Sequence, residues 1–174
     1  MSDDLTHIDA RGRAKMVDVG AKPVTHRVCT ARGEVRMAPE TLAQIAEGTL
    51  PKGDVLATAR LAAILAAKRT DEWIPLCHSL PLDAVEVEFQ PDPERSCVVI
   101  EATARVHART GVEMEALVAV TAAGLTIYDM CKSVDRGISL DAVRLVHKSG
   151  GKSGEWERPG EPPGTGPAPG ASRS

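Results

Sequence analysis

Residues 110–132 read TGVEMEALVAVTAAGLTIYDMCK, and the reading of this stretch decides the fold. Thr110 followed three residues later by Glu113 has the spacing of a capping box, in which the hydroxyl takes the Glu113 amide and the carboxylate returns to the amide of Thr110. Val112, Leu117, Val118, Val120, Leu125, Tyr128 and Met130 then supply apolar surface, with alanines between them. One long helix, buried on more than one side, is expected. Glu115, Asp129 and Lys132 interrupt that apolarity. Asp129 and Lys132, three apart, share a face. Glu115 precedes Asp129 by fourteen residues, which puts the two on roughly the same side of the helix but about 21 Å apart. A small molecule does not easily span both, so if both ends act on one ligand, either the ligand is long or a second copy of the chain completes the pocket. The plainer alternative stays open: Glu113 and Glu115 suit a helix N-terminus and Lys132 suits its C-terminus.

The segments on either side show where this helix fits. Before it, DAVEVEFQ at 83–90 alternates as a half-buried strand, PDPER turns the chain, and 97–107 returns as a second strand. After it, Gly137 leads into a last strand at 138–147. Further upstream, Thr25 to Met37 reads as a strand with one exposed face, and 16–19 as a short edge segment. Pro39 in a first turn and Gly48 as a stop bracket a short helix over 39–47, and Asp54 is a good N-cap for an alanine-rich helix over 55–69. The order is strand, helix (preceded by a short one), strand, strand, helix, strand. That is the split βαβ pattern of an α+β, ferredoxin-like sandwich, an antiparallel sheet with helices on one face. A single domain over 16–157 is expected, between a mobile segment at 1–15 and a disordered Pro/Gly-rich tail at 158–174.

A chain of 174 residues is long enough for one core. A net charge of −3, with only two Trp, one Tyr and one Phe, argues against a nucleic-acid partner. Cys29, Cys77, Cys97 and Cys131 show no C-x-x-C spacing and no signal peptide precedes them, so reduced thiols in the cytoplasm are expected. The longest apolar run falls short of a membrane span, and no membrane partner is expected.

Several residues outside the long helix are candidates for chemistry. Lys52 and Gly53 precede a helix N-terminus, where free amides and the dipole favour an anion. Arg27, Arg32 and Arg36 read as solvent-facing charges, with Arg27 also able to grip phosphate. Trp73 to Leu82 carries two prolines and is a fixed connection that holds Cys77 and His78 against a pocket, unless His78 is only structural. No metal site is expected, because adjacent side chains seldom share an ion and no further ligand lies at the right spacing. KSGGKSG at 148–154 ends like a P-loop, but Val146 stands where the first glycine would have to be. It is either a phosphate-covering loop or a mobile exit segment.

Taken together, KGDV at 52–55, IPLCH at 74–78, TGVEMEAL at 110–117, LTIYDMCK at 125–132 and KSGGKSG at 148–154 resemble the cyclic pyranopterin monophosphate synthase family, molybdenum cofactor biosynthesis protein C. The resemblance covers nearly all of 5–156. It implies a phosphorus–oxygen lyase that converts 3′,8-cyclo-7,8-dihydroguanosine 5′-triphosphate to cyclic pyranopterin monophosphate and diphosphate. It also implies a homohexamer, a trimer of dimers, with the active site at a subunit interface. No cofactor is required, and Mg2+ enters at most as a counter-ion of the triphosphate.

Carried over by position, the resemblance makes Asp129, Lys132 and Lys52 catalytic, the two lysines depressing one another's pKa where they converge. Leu76, Cys77, His78, Glu113, Met114 and Glu115 fall in substrate-contacting segments, and Arg27, Lys68, Lys148 and Lys152 are candidates for the triphosphate. Ser79 stands where the family pattern has proline, which is expected to loosen the His78 loop. The competing reading, from another class, is a ferredoxin-like module that binds a nucleotide or pterin without turning it over.

Overall fold

The computed structural model describes residues 11–161; the readings for 1–10 and 162–174 lie outside the described residues. β1 (Thr25–Arg36) leads through α1 (Pro39–Glu47), α2 (Val55–Ala67) and the one-turn α3 (Thr70–Trp73) to the hairpin β2 (Ala84–Asp92) and β3 (Cys97–Ala108). α4 (Glu113–Cys131), β4 (Ser139–Ser149) and a two-residue β5 (Trp156–Glu157) follow. The strands form one sheet in the order β2-β3-β1-β4-β5, with every neighbouring pair antiparallel. β3 thus lies between β1 and β2, the split arrangement expected from the sequence. β5 was not expected. The segment at 16–19, read as an edge strand, is irregular.

Alternation along β1 sorts its side chains. Cys29, Ala31 and Val35 are buried in the core beneath the helices, and Thr30 and Arg32 face across to Thr103 and Glu101 on the other side of the sheet. Alanines at 59 and 63 on α2 and at 116, 119 and 123 on α4 are fully buried, and the two helices pack against each other through them. Gly33 sets how closely α4 meets the sheet, since a Cβ there would fall 2.6 Å from Val120 Cγ1. With Ile100, Ile127, Val98 and Val106 filling the layer between, this core holds both ends of α4 in place.

α4 departs from expectation at its N-terminus. Its N-cap is Val112, with no side-chain capping bond, because the Glu113 carboxylate pairs with Lys148 instead of closing a box with Thr110. Leu125 (52 % exposed) and Tyr128 (38 % exposed) stay in solvent, while the helix is otherwise buried on more than one side, as expected: against the sheet through Val120 and Gly124, and against Ala66 of α2 through Val118 and Ala122. At 19 residues and a mean hydropathy of 1.3 this helix is long and apolar enough to cross a bilayer, contrary to the sequence estimate. It is a core helix nonetheless, with 61 % of that stretch buried inside the fold.

Arg32 is a further correction, for it is buried rather than solvent-facing. Its Nε donates to Glu101 Oε2 at 2.7 Å and its Nη1 to Glu161 Oε2 at 3.2 Å, and these carboxylates make burial of the guanidinium tolerable. Arg36 does remain half exposed.

Candidate active site

The polar groups of interest gather at the two ends of α4. At the C-terminal end, Lys132 caps the helix and its Nζ lies 2.6 Å from Asp129 Oδ1. Asp54 caps α2 by accepting from the Ala57 amide at 2.9 Å, and this fixes the turn that carries Lys52. Lys52 Nζ donates to the Asp129 carbonyl at 2.8 Å and lies 3.4 Å from Asp129 Oδ2. One carboxylate therefore stands between two ammonium groups.

The hydrogen bond and charge of Lys132, followed by the charge of Lys52, hold Asp129 below the usual carboxylate range. Asp129 in turn raises Lys132 above an ordinary lysine. The mutual depression expected of two converging lysines is therefore absent at Lys132, because the carboxylate between them outweighs the like charge. Lys132 is a firmly charged cation, suited to holding phosphate. All three side chains are about half exposed, so the chain alone leaves this cluster open on one side. Beside Asp129 runs a groove between α2 and α4 lined by Leu65, Ala66, Trp73, Ala122 and Leu125.

At the N-terminal end of α4, Glu115 is only 4 % exposed and its pKa is pushed up to about 7, by burial first and by the nearby charges of Glu113 and Asp71. Burial, with Glu115 and Asp71, likewise raises Cys77. His78 Nε2 is hydrogen-bonded to the Val17 carbonyl at 2.9 Å, which ties the loop to the irregular segment before β1. Ser79 Oγ donates to Asp71 Oδ2, so the replacement expected to loosen this loop instead fastens it to α3.

Next to these groups, Lys148 Nζ lies 2.9 Å from Glu113 Oε1. Cys29 is buried beside them, its thiol pushed up to about 12 by burial above all. Arg27 Nη2 donates to the Arg109 carbonyl at 3.4 Å, while its buried Nε has no hydrogen-bond partner. Gly151 lies against this guanidinium, where a Cβ would come within 2.0 Å of Nη1. Leu76 and Met114 are half-buried in the same two segments, the loop before β2 and the first turn of α4. Lys152 is exposed in the loop after β4, and Lys68 caps the far end of α2; among the described residues neither is hydrogen-bonded or ion-paired to either cluster.

The structure thus gathers Asp129, Lys132 and Lys52 at one end and Glu113, Glu115, Cys77, Lys148 and Arg27 at the other. Asp71 was missed in the sequence, because nothing marks an acid in a one-turn helix as a neighbour of Glu115. Among the described residues, His147, Glu155 and Glu157 are the group whose ligand atoms lie close enough together to share a metal ion, within 4.8 Å of one another. Their two carboxylates are exposed at the β4–β5 turn.

Comparison with known proteins adds the family. A curated protein of Pelotomaculum thermopropionicum named cyclic pyranopterin monophosphate synthase is 62% identical over 157 residues, covering 90% of this chain and 92% of that protein. One of the same name from Chloroflexus aurantiacus is 60% identical over 157 residues, covering 90% and 96%. Another of that name from Rhodospirillum rubrum is 59% identical over 155 residues, covering 89% and 93%. The sequence profile of the MoaC family matches residues 16–151, a span that takes in both ends of α4, the Lys52 turn and the Cys77–His78 loop, and the chain belongs to that family.

Proposed function

We propose that the chain is a lyase of molybdenum cofactor biosynthesis. It converts 3′,8-cyclo-7,8-dihydroguanosine 5′-triphosphate to cyclic pyranopterin monophosphate, with loss of diphosphate. Two copies build each site. One supplies Lys52, Asp129 and Lys132, and the other supplies Cys77, His78, Glu113, Met114, Glu115 and the basic groups Arg27 and Lys148.

The separation of the two clusters carries this reading. They lie at the two ends of α4, Glu115 and Asp129 about 21 Å apart along the axis, and the Lys52–Asp129–Lys132 cluster stands half exposed. The apolar groove beside Asp129, with exposed Leu65, Trp73 and Leu125, favours a second copy, since an isolated chain seldom leaves such contiguous apolar surface in water. Pairs of this kind would assemble further into a homohexamer, a trimer of dimers.

The chemistry needs proton transfers while the purine ring system is opened and rebuilt, and cations where the cyclic phosphate closes and diphosphate leaves. Lys132, kept charged by Asp129, serves as a fixed positive charge for the departing phosphates. Asp129 orients both lysines. Glu115, poised near neutrality, exchanges a proton or accepts hydrogen bonds from the guanine-derived amino and ring N–H groups. Arg27, Lys148 and Lys152 hold the triphosphate, with Lys68 in a peripheral place. No resident metal is asked for; Mg2+ would enter as a counter-ion. With four free cysteines, the cytoplasm is the fitting compartment.

The test is to incubate the purified protein with the cyclic triphosphate and follow diphosphate release beside formation of an oxidisable pterin. Both should appear together and vanish in Lys132→Ala. Binding without conversion would instead make the chain a binding module.

A further inference from the structure

The chain after the 148–154 loop is fixed by Arg158 and by the largely buried carboxylate of Glu161, both outside the residues that define the family match, which end at 151. β5 itself is weak, for it is two residues long and pairs only His147 with Glu157 and Lys148 with Trp156. The fixed points come next. The Arg158 amide donates to the Val146 carbonyl at 2.9 Å and Arg158 Nε to the Leu145 carbonyl at 2.7 Å. Glu161 then turns its carboxylate onto two guanidiniums. It accepts from Arg144 Nη2 at 2.9 Å and from Arg144 Nε, and it lies 3.2 Å from Arg32 Nη1.

Charge makes this arrangement specific. Arg32 and Glu101 are paired and almost fully buried on the sheet face away from the helices. Arg144, a quarter exposed, brings a second cation that Glu101 alone does not balance, and Glu161, 13 % exposed, brings the second anion. The guanidiniums also hold Glu161 below the usual carboxylate range, Arg144 above all. A buried charge left without its partner is costly, which gives the segment 156–161 one preferred place in an otherwise Gly- and Pro-rich run.

We propose that Glu161 is a positioning residue for the site: acting through Arg144 and Arg32, it pins the chain beyond Lys152 and so holds the 148–154 loop against Arg27. The loop is then anchored at both ends, by β4 before Gly150 and by Glu161 after it. That keeps Gly150 over the His26 carbonyl and Gly151 over the Arg27 guanidinium. The catalytic part of this inference rests on the function proposed above, while the anchoring does not.

The experiment uses the full chain and its Glu161→Gln and Arg144→Gln variants, singly and together. Limited trypsin digestion, read by mass spectrometry, gives the rate at which the fragment beginning at Ser153 is released. Kinetics with the cyclic triphosphate give KM and kcat. Each single variant should release the fragment about tenfold faster, because a charge-assisted anchor is lost. KM should rise severalfold with kcat nearly unchanged, and the double variant should do no worse than either single one. Release and KM at wild-type values would overturn the proposal, as would fully additive effects of the two changes. If one variant does not fold, the other decides. If the wild type turns nothing over, the functional reading fails and the digestion rates still judge the anchor.

Discussion

Lys52 and Asp129 lie 77 positions apart in the sequence and touch in the fold, Lys52 Nζ donating to the Asp129 carbonyl at 2.8 Å while Lys132 holds the same aspartate from the other side at 2.6 Å. The contact fastens the turn before α2 to the last turn of α4. It also concentrates two cations around one acid at an open surface, where a polyphosphate can compete for them.

Because these three side chains are exposed, removing one should cost the fold little. Lys52→Ala and Lys132→Ala are expected to melt as the wild type does, yet to lose about 10²–10⁴ in kcat if each takes part in proton transfer or charge stabilisation. Titration calorimetry should find that substrate still binds at least one of them. A loss of binding in step with activity in both would point to a module that only holds its ligand.

Glu115 links the site to pH. In the fold it keeps its proton up to about pH 7, whereas its ordinary value is 4.5. Its folded pKa is raised, so the stability associated with it is full below pH 4.5, falls as pH climbs through the window to about 7, and is gone above it. Glu115→Gln should remove that slope. Urea unfolding at fixed protein concentration should show the variant gaining on the wild type between pH 5 and pH 8, by up to about 3 kcal/mol. An equal difference at both pH values would contradict the assignment.

The loop glycines should differ in their tolerance of a methyl group. Gly150 has φ +94 and a Cβ there would lie 2.1 Å from the His26 carbonyl oxygen; Gly151 has φ +72 and meets the mobile end of Arg27. Both alanine variants incur the cost of a left-handed backbone, about 1 kcal/mol, and only Gly150→Ala also strikes backbone. Gly150→Ala should therefore raise KM for the cyclic triphosphate more than Gly151→Ala. Wild-type KM in both would remove the loop from the binding site.

The groove beside Asp129 should be where copies meet. Leu125→Asp, at a position 52 % exposed in the single chain, is expected to leave the circular dichroism spectrum intact and to shift sedimentation toward the monomer, with activity lost in parallel. An assembled, active variant would place the interface elsewhere.

How much of this was legible in the sequence depended on whether the deciding partner was local. α1 runs from Pro39 to Glu47 with Gly48 as its cap, and Asp54 caps α2, because proline, glycine and aspartate act within a turn of where they stand. The hairpin was legible from its alternation. Arg32 was misread because the carboxylates that bury it come from 69 and 129 positions away. The capping box at Thr110 was misread for the same reason, as Lys148, 35 positions away, claims the Glu113 carboxylate. β5 is two residues long and has no periodicity of its own to find. For the site, helical spacing alone placed Glu115 and Asp129 too far apart for one ligand, but no local pattern told that Lys52 would meet Asp129 or that Asp71 would approach Glu115.

The shared site is tested most directly by mixing two inactive proteins, Lys52→Ala and Glu115→Ala, under conditions where subunit exchange is demonstrated. In a mixed pair one site has both defects and the other has neither, so equal mixing should restore up to about a quarter of wild-type activity. Exchange with no recovery would contradict a site built from Lys52 of one copy and Glu115 of another.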